Sequence, residues 1–482
     1  MGVAAVEPPW QYPATRPFRP AEEYAELGGR VPRGAERNIV YPLFRELARC
    51  LGLDRGHEGT PQWNPLGDII RPGQNVFIKP NLVRHLHMTG GDYQAIVTHA
   101  ALVRCVADYV ARALGGRGQI TVGDAPIQSA DFDAILARTG LREACDDVAR
   151  CWDIPVGLVD LRLWSVAIDP QHRVVGTQAM QGDSRGYRWI DLGKGSMLEG
   201  ISDRASSFRV TNYEPGGMQK RHHAALHEYV VPQAILDADV VLSLPKLKTH
   251  RKVGLTAALK NLVGINGHKD CLPHHRCGST AEGGDEYLNR SWFKRLQTRL
   301  DEAIDCAPQS PANGVRRLLG RVVRRLGCWI DRDPYEEGSW HGNDTLWRTV
   351  LDLNRLLIYA GREGHMTATP QRRIFTIVDA IIAGEGEGPM EPDSRPCGLL
   401  VGGGNPLAVD AMLATLVGFD YRKIPLIFRA FALEQWPIAG FSPEDIQVRS
   451  NDPELGKLQV GVVCPAFRFK PPQGWAGHIE SC

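Results

Sequence analysis

The sequence predicts an α/β protein, with a mostly parallel sheet, helices on both faces, an antiparallel or loop-rich insertion and a helical insertion. Two observations carry this prediction. Short β-branched runs recur along the chain and end abruptly in polar residues, and stretches with helical periodicity separate several of those runs. Alternation of this kind is typical of parallel strands whose connecting helices cover the sheet.

The individual elements are delimited by turn-forming residues. Apolar runs of this length between Gly, Pro or charged residues are typical of buried strands. The predicted strands are residues 75–78, 120–122, 240–244, 374–378 and 399–401. Residues 99–116 have an amphipathic pattern that ends in glycine, and a helix within residues 406–418 begins at a proline and ends before a glycine.

Composition divides the chain into three parts. Residues 1–65 are rich in Pro, Gly and Arg and are interpreted as an arm, residues 66–430 as the α/β core, and residues 431–482 as a C-terminal extension. Within the core, residues 160–220 contain short alternating segments and turn residues, which predict the antiparallel or loop-rich insertion. Residues 281–345 are strongly charged and predict the helical insertion.

Charge and cysteine usage exclude several classes of protein. Lys and Arg number 56 against 55 Asp and Glu, and the net charge of +1 argues against a nucleic-acid partner. The N-terminal pattern is not that of a secretory signal, and no apolar run is long enough to span a bilayer, so we expect a cytoplasmic protein. The 11 Cys include no CxxC pair, so we expect no iron–sulfur cluster.

Polar side chains follow the predicted strands directly. In open α/β sheets, ligands bind beyond the carboxyl ends of the strands, so side chains at those positions converge when the strands are parallel neighbours. We therefore expect a common cleft lined by Lys79, Asn81, Asp124, Lys246, Lys248, His250, Asp379 and Asn405.

The densest of these polar segments follows the strand at residues 240–244. Lys246, Lys248 and His250 alternate, so they would point to one side of an extended chain, and a predicted helix with Lys260 follows. Neighbouring cations repel one another unless an anion or carboxylates neutralise them. A solvated basic loop is one explanation, and a phosphate or carboxylate pocket is the one we favour, because lysine is a natural phosphate ligand.

Histidines and carboxylates supply candidate metal ligands. His223 and His227, at i and i+4, would share a helix face and bind a metal, with structural histidines as the alternative. The sequence identifies no cofactor, but Asp410 and the carboxylates Asp124, Asp379, Glu385 and Glu387 would suit a divalent ion. Glu385 lies between glycines, where it is either a base or metal ligand or part of an ordinary acidic turn.

Residues 312–330 have the pattern of a basic amphipathic helix, with arginines opposite an apolar stripe. The stripe consists of Val315, Leu318, Leu319, Val322, Val323 and Leu326. We expect it to pack on the core of the protein. The alternative is a surface that binds a membrane or a protein partner.

Several strings of residues together resemble one known family. VFIKPN, VGDAP, LSLPKLKTH, GLTAALKNLVGINGHKD and VDAIIAGEGEGP resemble, in this order, the domain-of-unknown-function family numbered 362, over residues 70–425. Residues 274–287 and 340–360 resemble a large-insertion subgroup of this family without a ferredoxin module. The resemblance implies that the gene belongs to a biosynthetic gene cluster. The resemblance implies no activity, because none is assigned to the family.

These residues favour an enzyme that acts on a small anionic metabolite by isomerase, lyase or group-transfer chemistry, with assistance from a metal. The anion or a cofactor would be bound by Lys79, Asn81, Lys246, Lys248, Lys260, Asn261 and Asn405. Protons would be transferred by His250 together with Asp124, Asp379 or Glu385. The alternative function is a non-catalytic protein that binds a ligand, or that recruits a membrane or partner through residues 312–330.

Overall fold

The computed structural model describes residues 1–168, 174–210, 215–307, 310–331, 333–462 and 466–481. Its strands are β1 (Gly2–Ala5), β2 (Asn75–Pro80), β3 (Gln119–Asp124), β4 (Val156–Asp160), β5 (Trp164–Ile168), β6 (Val174–Ala179), β7 (Tyr187–Asp191), β8 (Phe208–Arg209), β9 (His222–His223), β10 (Leu226–Pro232), β11 (Val240–Leu244), β12 (Lys246–His250), β13 (Gly254–Thr256), β14 (His275–Arg276), β15 (Arg373–Glu387), β16 (Glu391–Gly403) and β17 (Arg449–Ser450). Its α-helices are α1 (Val40–Leu51), α2 (Ala100–Leu114), α3 (Phe132–Thr139), α4 (Leu141–Trp152), α5 (Pro215–Gln219), α6 (Gln233–Leu236), α7 (Ala258–Asn261), α8 (Trp292–Asp305), α9 (Asn313–Asp331), α10 (Leu346–Tyr359), α11 (Pro406–Leu416) and α12 (Pro425–Phe428).

One large sheet organises the described residues. Its main strand order is β17-β1-β16-β15-β11-β2-β3-β4, and β12 and β13 extend it beside β15. The strands from β15 to β4 are parallel neighbours, and β16 and β1 add antiparallel pairings. Helices α1, α2 and α4 pack in one hydrophobic core, and α10 and α11 pack in a second. The predicted α/β class with a mostly parallel sheet is confirmed.

The two delimited helices form where their capping residues predict. The His99 side chain accepts a hydrogen bond from the backbone N–H of Ala101 at the start of α2, and Gly115 ends this helix with a φ of 58°. This left-handed conformation costs glycine little, because it has no Cβ. At the start of α11, the Asn405 side chain caps two backbone N–H groups.

A proline positions the lysine-rich segment. Pro245 separates β11 from β12, and both strands pair in parallel with β15. Proline has no N–H to donate, but its carbonyl accepts a hydrogen bond of 2.8 Å from the backbone N–H of Asp379. Since Leu244 is paired with Pro80, the chain continues past the end of β2, and the lysines of β12 lie beside that edge.

The insertions have the predicted secondary structure. Strands β5 and β6 form an antiparallel pair, and β7 pairs antiparallel with β10. Helices α8 and α9 pack on each other within the helical insertion. The expectation that the apolar stripe of α9 packs on the core is wrong, because most of its side chains are exposed. Among the described residues, no helix combines the length and apolarity needed to cross a bilayer.

The arm predicted for residues 1–65 is an integral part of the fold. Strand β1 lies in the sheet between β16 and β17, and α1 packs in the first hydrophobic core. The C-terminal extension returns to the other end of β12, where the Trp475 indole donates a hydrogen bond of 2.6 Å to the Arg251 carbonyl. Both terminal regions therefore pack against the core.

Candidate functional site

Two buried ion pairs lie at the carboxyl ends of the parallel strands. Lys79 Nζ is 2.7 Å from Asp124 Oδ1, and Lys246 Nζ is 2.9 Å from Asp379 Oδ2. All four side chains are almost completely buried. These four residues come together at the strand ends, as expected, but they form a buried network instead of lining an open cleft.

The N-terminal arm completes the second ion pair. The Tyr12 hydroxyl donates a hydrogen bond to Asp379 Oδ1 and accepts one of 3.0 Å from Lys246 Nζ. The backbone N–H of His99 donates to Asp379 Oδ2 at 2.9 Å, and the His99 ring stacks on Tyr12 with 4.0 Å between centroids. Sequence reasoning missed Tyr12, because it follows no predicted strand.

Two asparagine amides connect the lysines. Lys248 Nζ donates to Asn81 Oδ1 at 3.0 Å and to the Ile96 carbonyl at 2.6 Å. Lys79 Nζ donates to Asn261 Oδ1 at 3.3 Å, and Asn261 Nδ2 donates back to the Lys79 carbonyl at 3.0 Å. These contacts orient the amines but supply no carboxylate partner to Lys248, and burial, together with repulsion from Lys260 and Lys246, lowers the pKa of Lys248 well below its usual value.

Three further lysines lie at the same place, and the strand-end cluster consists of Lys79, Lys246, Lys248, Lys252, Lys260 and Lys269. Burial lowers the pKa of Lys260 to about 8, and repulsion from Lys252 and Lys79 contributes to this shift. Burial also lowers the pKa of Lys269 to about 7, opposed by Asp124. Lys260 Nζ has no hydrogen bond or salt bridge within the described ranges, and Lys269 Nζ donates only to a backbone carbonyl.

Sequence reasoning missed Lys252 and Lys269. Lys252 continues the alternation of Lys246, Lys248 and His250, which is the signal that could have identified it. Lys269 stands in a short helical turn, where the sequence offers no periodic signal.

Two histidines adjoin the lysines as neutral groups. Burial lowers the pKa of His250 and of His274 well below the usual value, and the charge of Lys260 contributes in both cases. His250 Nδ1 accepts a hydrogen bond of 3.1 Å from the backbone N–H of Lys252, so the ring proton lies on Nε2. The predicted pairing of His250 with Asp124 or Asp379 is not observed, because lysines engage both carboxylates.

A glycine allows the first ion pair to form. A Cβ at Gly264 would lie 2.0 Å from Asp124 Oδ1 and 2.6 Å from Lys79 Nζ. The carbonyl of Gly264 also accepts a hydrogen bond of 2.9 Å from the backbone N–H of Ala125. Any larger residue would have to displace the ion pair, so Gly264 is a structural requirement of the site.

Asn405 and Glu385 lie away from this cluster. Strand β16 runs antiparallel to β15 and places Gly403 opposite Thr376, so Asn405 follows at the opposite edge of the sheet and caps α11. The prediction assumed a parallel strand and is wrong for this reason. Glu385 accepts a hydrogen bond of 3.1 Å from the backbone N–H of Lys470 and faces the C-terminal extension.

The candidate metal ligands do not come together. His223 and His227 lie on the β9–β10 hairpin instead of a helix, where His223 is exposed while His227 is buried and 3.1 Å from Glu199. Asp410 accepts two backbone hydrogen bonds from α7, at 2.7 and 3.0 Å, and burial raises its pKa to about 7. In the part of the chain that the structure describes, no three His, Cys, Asp or Glu side chains are placed to bind a metal.

The fold and the cluster define an α/β protein with a buried, lysine-rich site at the ends of its parallel strands. A family model described as a domain of unknown function, DUF362, matches residues 76–168 and 174–415, and the chain belongs to this family. The matched residues include both ion pairs and every lysine of the cluster. No curated protein matches the chain.

Proposed function

We propose that the chain is an enzyme that acts on a small metabolite bearing a phosphate or carboxylate group. Three lysines that lack a carboxylate partner carry this proposal. Lys79 and Lys246 each have a carboxylate partner, whereas Lys248, Lys260 and Lys269 form no salt bridge among the described residues. Burial without a carboxylate partner lowers the pKa of these amines, and a bound anion would stabilise their charged form.

Exposure indicates where an anion would bind. Lys248 and Lys269 are buried, while Asn81, Lys252 and Lys260 are partly exposed at the same cluster. A ligand would therefore meet Lys260 first and interact with the deeper lysines at longer range. The network around Asp379 would hold the site in shape and would not touch the ligand.

The lysines also suit proton transfer. A general acid or base works best when its pKa lies near the working pH, and the pKa values of about 8 for Lys260 and about 7 for Lys269 meet this condition. The Nε2–H of His250 would donate a hydrogen bond to the substrate. Isomerase, lyase and group-transfer reactions all use such groups.

Calorimetric titration with pyrophosphate and with citrate tests the anion site. In the Lys260→Met variant, which keeps most of the apolar stem, we expect affinity to fall at least about tenfold for the anion that binds, the loss of one favourable charge contact. Lys457→Met is the matched control, because Lys457 is exposed and paired with Glu454 at the surface. Unchanged affinity in Lys260→Met would contradict the proposal.

Turnover distinguishes the enzyme from a non-catalytic binding protein. Phosphate esters and carboxylates that stabilise the protein in a thermal-shift screen should be incubated with it and followed by NMR. We expect at least one of them to be converted by the wild type and to persist with Lys260→Met. Persistence of every bound ligand with the wild type would favour the alternative function.

A further inference from the structure

The apolar stripe of α9 faces solvent. Val315, Leu318, Leu319, Val322 and Leu326 are between 44% and 71% exposed, and Val323 at the edge of the stripe is the buried exception. Trp329 and Ile330 continue the stripe and are also exposed. Contiguous apolar surface of this kind is rare on the free surface of a protein and marks a site of interaction.

The stripe is exposed because α9 packs through its glycines. Gly320 faces the side chain of Gln297 on α8, and a Cβ at Gly327 would lie 3.0 Å from the Cβ of Phe293. At about 100° per residue, these glycines lie about a third of a turn from the middle of the stripe. Close contact through glycine therefore leaves the apolar face outside the helix pair.

Arginines border the exposed stripe. Arg317, Arg321 and Arg325 form no salt bridge within the ranges that the structure describes, and Arg324 reaches Glu336 at 3.5 Å. Within the sequence of α9, Asp331 at its end is the sole acidic residue. The helix thus presents an apolar face beside a row of cations without salt-bridge partners.

We propose that α9 binds the surface of an anionic lipid bilayer. Helices with an apolar face and an arginine-rich border lie in the plane of the interface, with the apolar side chains at the acyl boundary and the cations at lipid phosphates. A second copy of the chain would cover the apolar stripe equally well, but its own α9 would bring more arginines and only Asp331 to neutralise them. An anionic membrane neutralises these arginines, and this complementarity decides between the two occupants.

Co-sedimentation with vesicles tests this proposal independently of the anion site. We expect the wild type to bind vesicles that contain phosphatidylglycerol and to remain free of vesicles of phosphatidylcholine alone. The double variant Leu318→Asp, Val322→Asp should bind at least about tenfold more weakly, because two charges enter the apolar face. Val462→Asp is the matched control, since Val462 is a similarly exposed apolar residue outside α9.

The arginine contribution is tested with Arg321→Gln, Arg325→Gln. This double variant should bind phosphatidylglycerol vesicles more weakly than the wild type does. Added salt should also weaken the binding of the wild type, because it screens the arginine charges. Thermal unfolding should be unchanged in both double variants, which excludes misfolding. The proposal is overturned if the wild type binds neither kind of vesicle, if it binds both equally, or if it forms a dimer that Leu318→Asp, Val322→Asp dissociates in the absence of lipid.

Discussion

The strand-end cluster and helix α9 depart from the usual distribution of side chains in opposite ways. The cluster buries lysines without enough carboxylates, whereas α9 exposes leucine, valine and tryptophan side chains. Each arrangement is unfavourable for the isolated chain, and each would be relieved by a different kind of ligand. Buried charged groups and exposed apolar side chains therefore both identify candidate sites. Buried lysines indicate an anionic ligand, and an exposed apolar face indicates an apolar one.

Removing a carboxylate from the cluster should have the largest effect. Asp379→Asn leaves Lys246 buried without a counter-charge, and we expect the free energy of unfolding to fall by about 3–5 kcal/mol. Chemical denaturation measures this change. Tyr12→Phe, which removes one hydrogen bond to the same carboxylate, should cost less, and a larger loss in Tyr12→Phe would contradict the assigned role of the ion pair.

Gly264→Ala should have the next largest effect. The added methyl group would overlap the Lys79–Asp124 ion pair, so we expect a loss of about 1–3 kcal/mol in the free energy of unfolding. Gly157→Ala is the control, because a Cβ at Gly157 would meet nothing within 4 Å. Equal stability of the two variants would show that the backbone at residue 264 is not held against the ion pair.

Leu319→Asp should have the smallest effect on stability. Because Leu319 is exposed in the stripe, we expect the free energy of unfolding to change by no more than about 0.5 kcal/mol. Val323→Asp, on the buried edge of the same helix, is the comparison and should be clearly more destabilising. A large loss in Leu319→Asp would mean that the stripe is covered within the protein.

The strand ends could be predicted from the sequence to a useful extent. Short apolar runs located Lys79, Asp124, Lys246 and Asp379 correctly, because parallel register brings the ends of such strands to one edge. The position of Asn405 was predicted wrongly, because a local apolar run does not show whether its strand is parallel or antiparallel to its neighbours.

Contacts between distant segments were beyond sequence reasoning. Tyr12 reaches Asp379 across most of the chain, and the hairpin that separates His223 from His227 depends on pairing with β10 and not on local periodicity. The environment of α9 was misjudged for a related reason. An amphipathic pattern fixes which residues share a face, but the packing of Gly327 on α8 decides where that face points.

The pH dependence of anion binding shows directly whether the buried lysines form an anion site. Sulfate keeps its charge over the relevant range, so calorimetric titration from about pH 6.5 to about pH 9.5 reports the protein groups alone. The lowered pKa values of Lys260 and Lys269, about 8 and about 7, predict that both lysines lose their protons within this range. Affinity should therefore fall at least about tenfold, with proton uptake on binding near pH 8 that decreases in Lys260→Met. Affinity that stays constant to about pH 9.5, as expected for ordinary lysines, or the absence of sulfate binding at every pH would rule out an anion site built from these lysines.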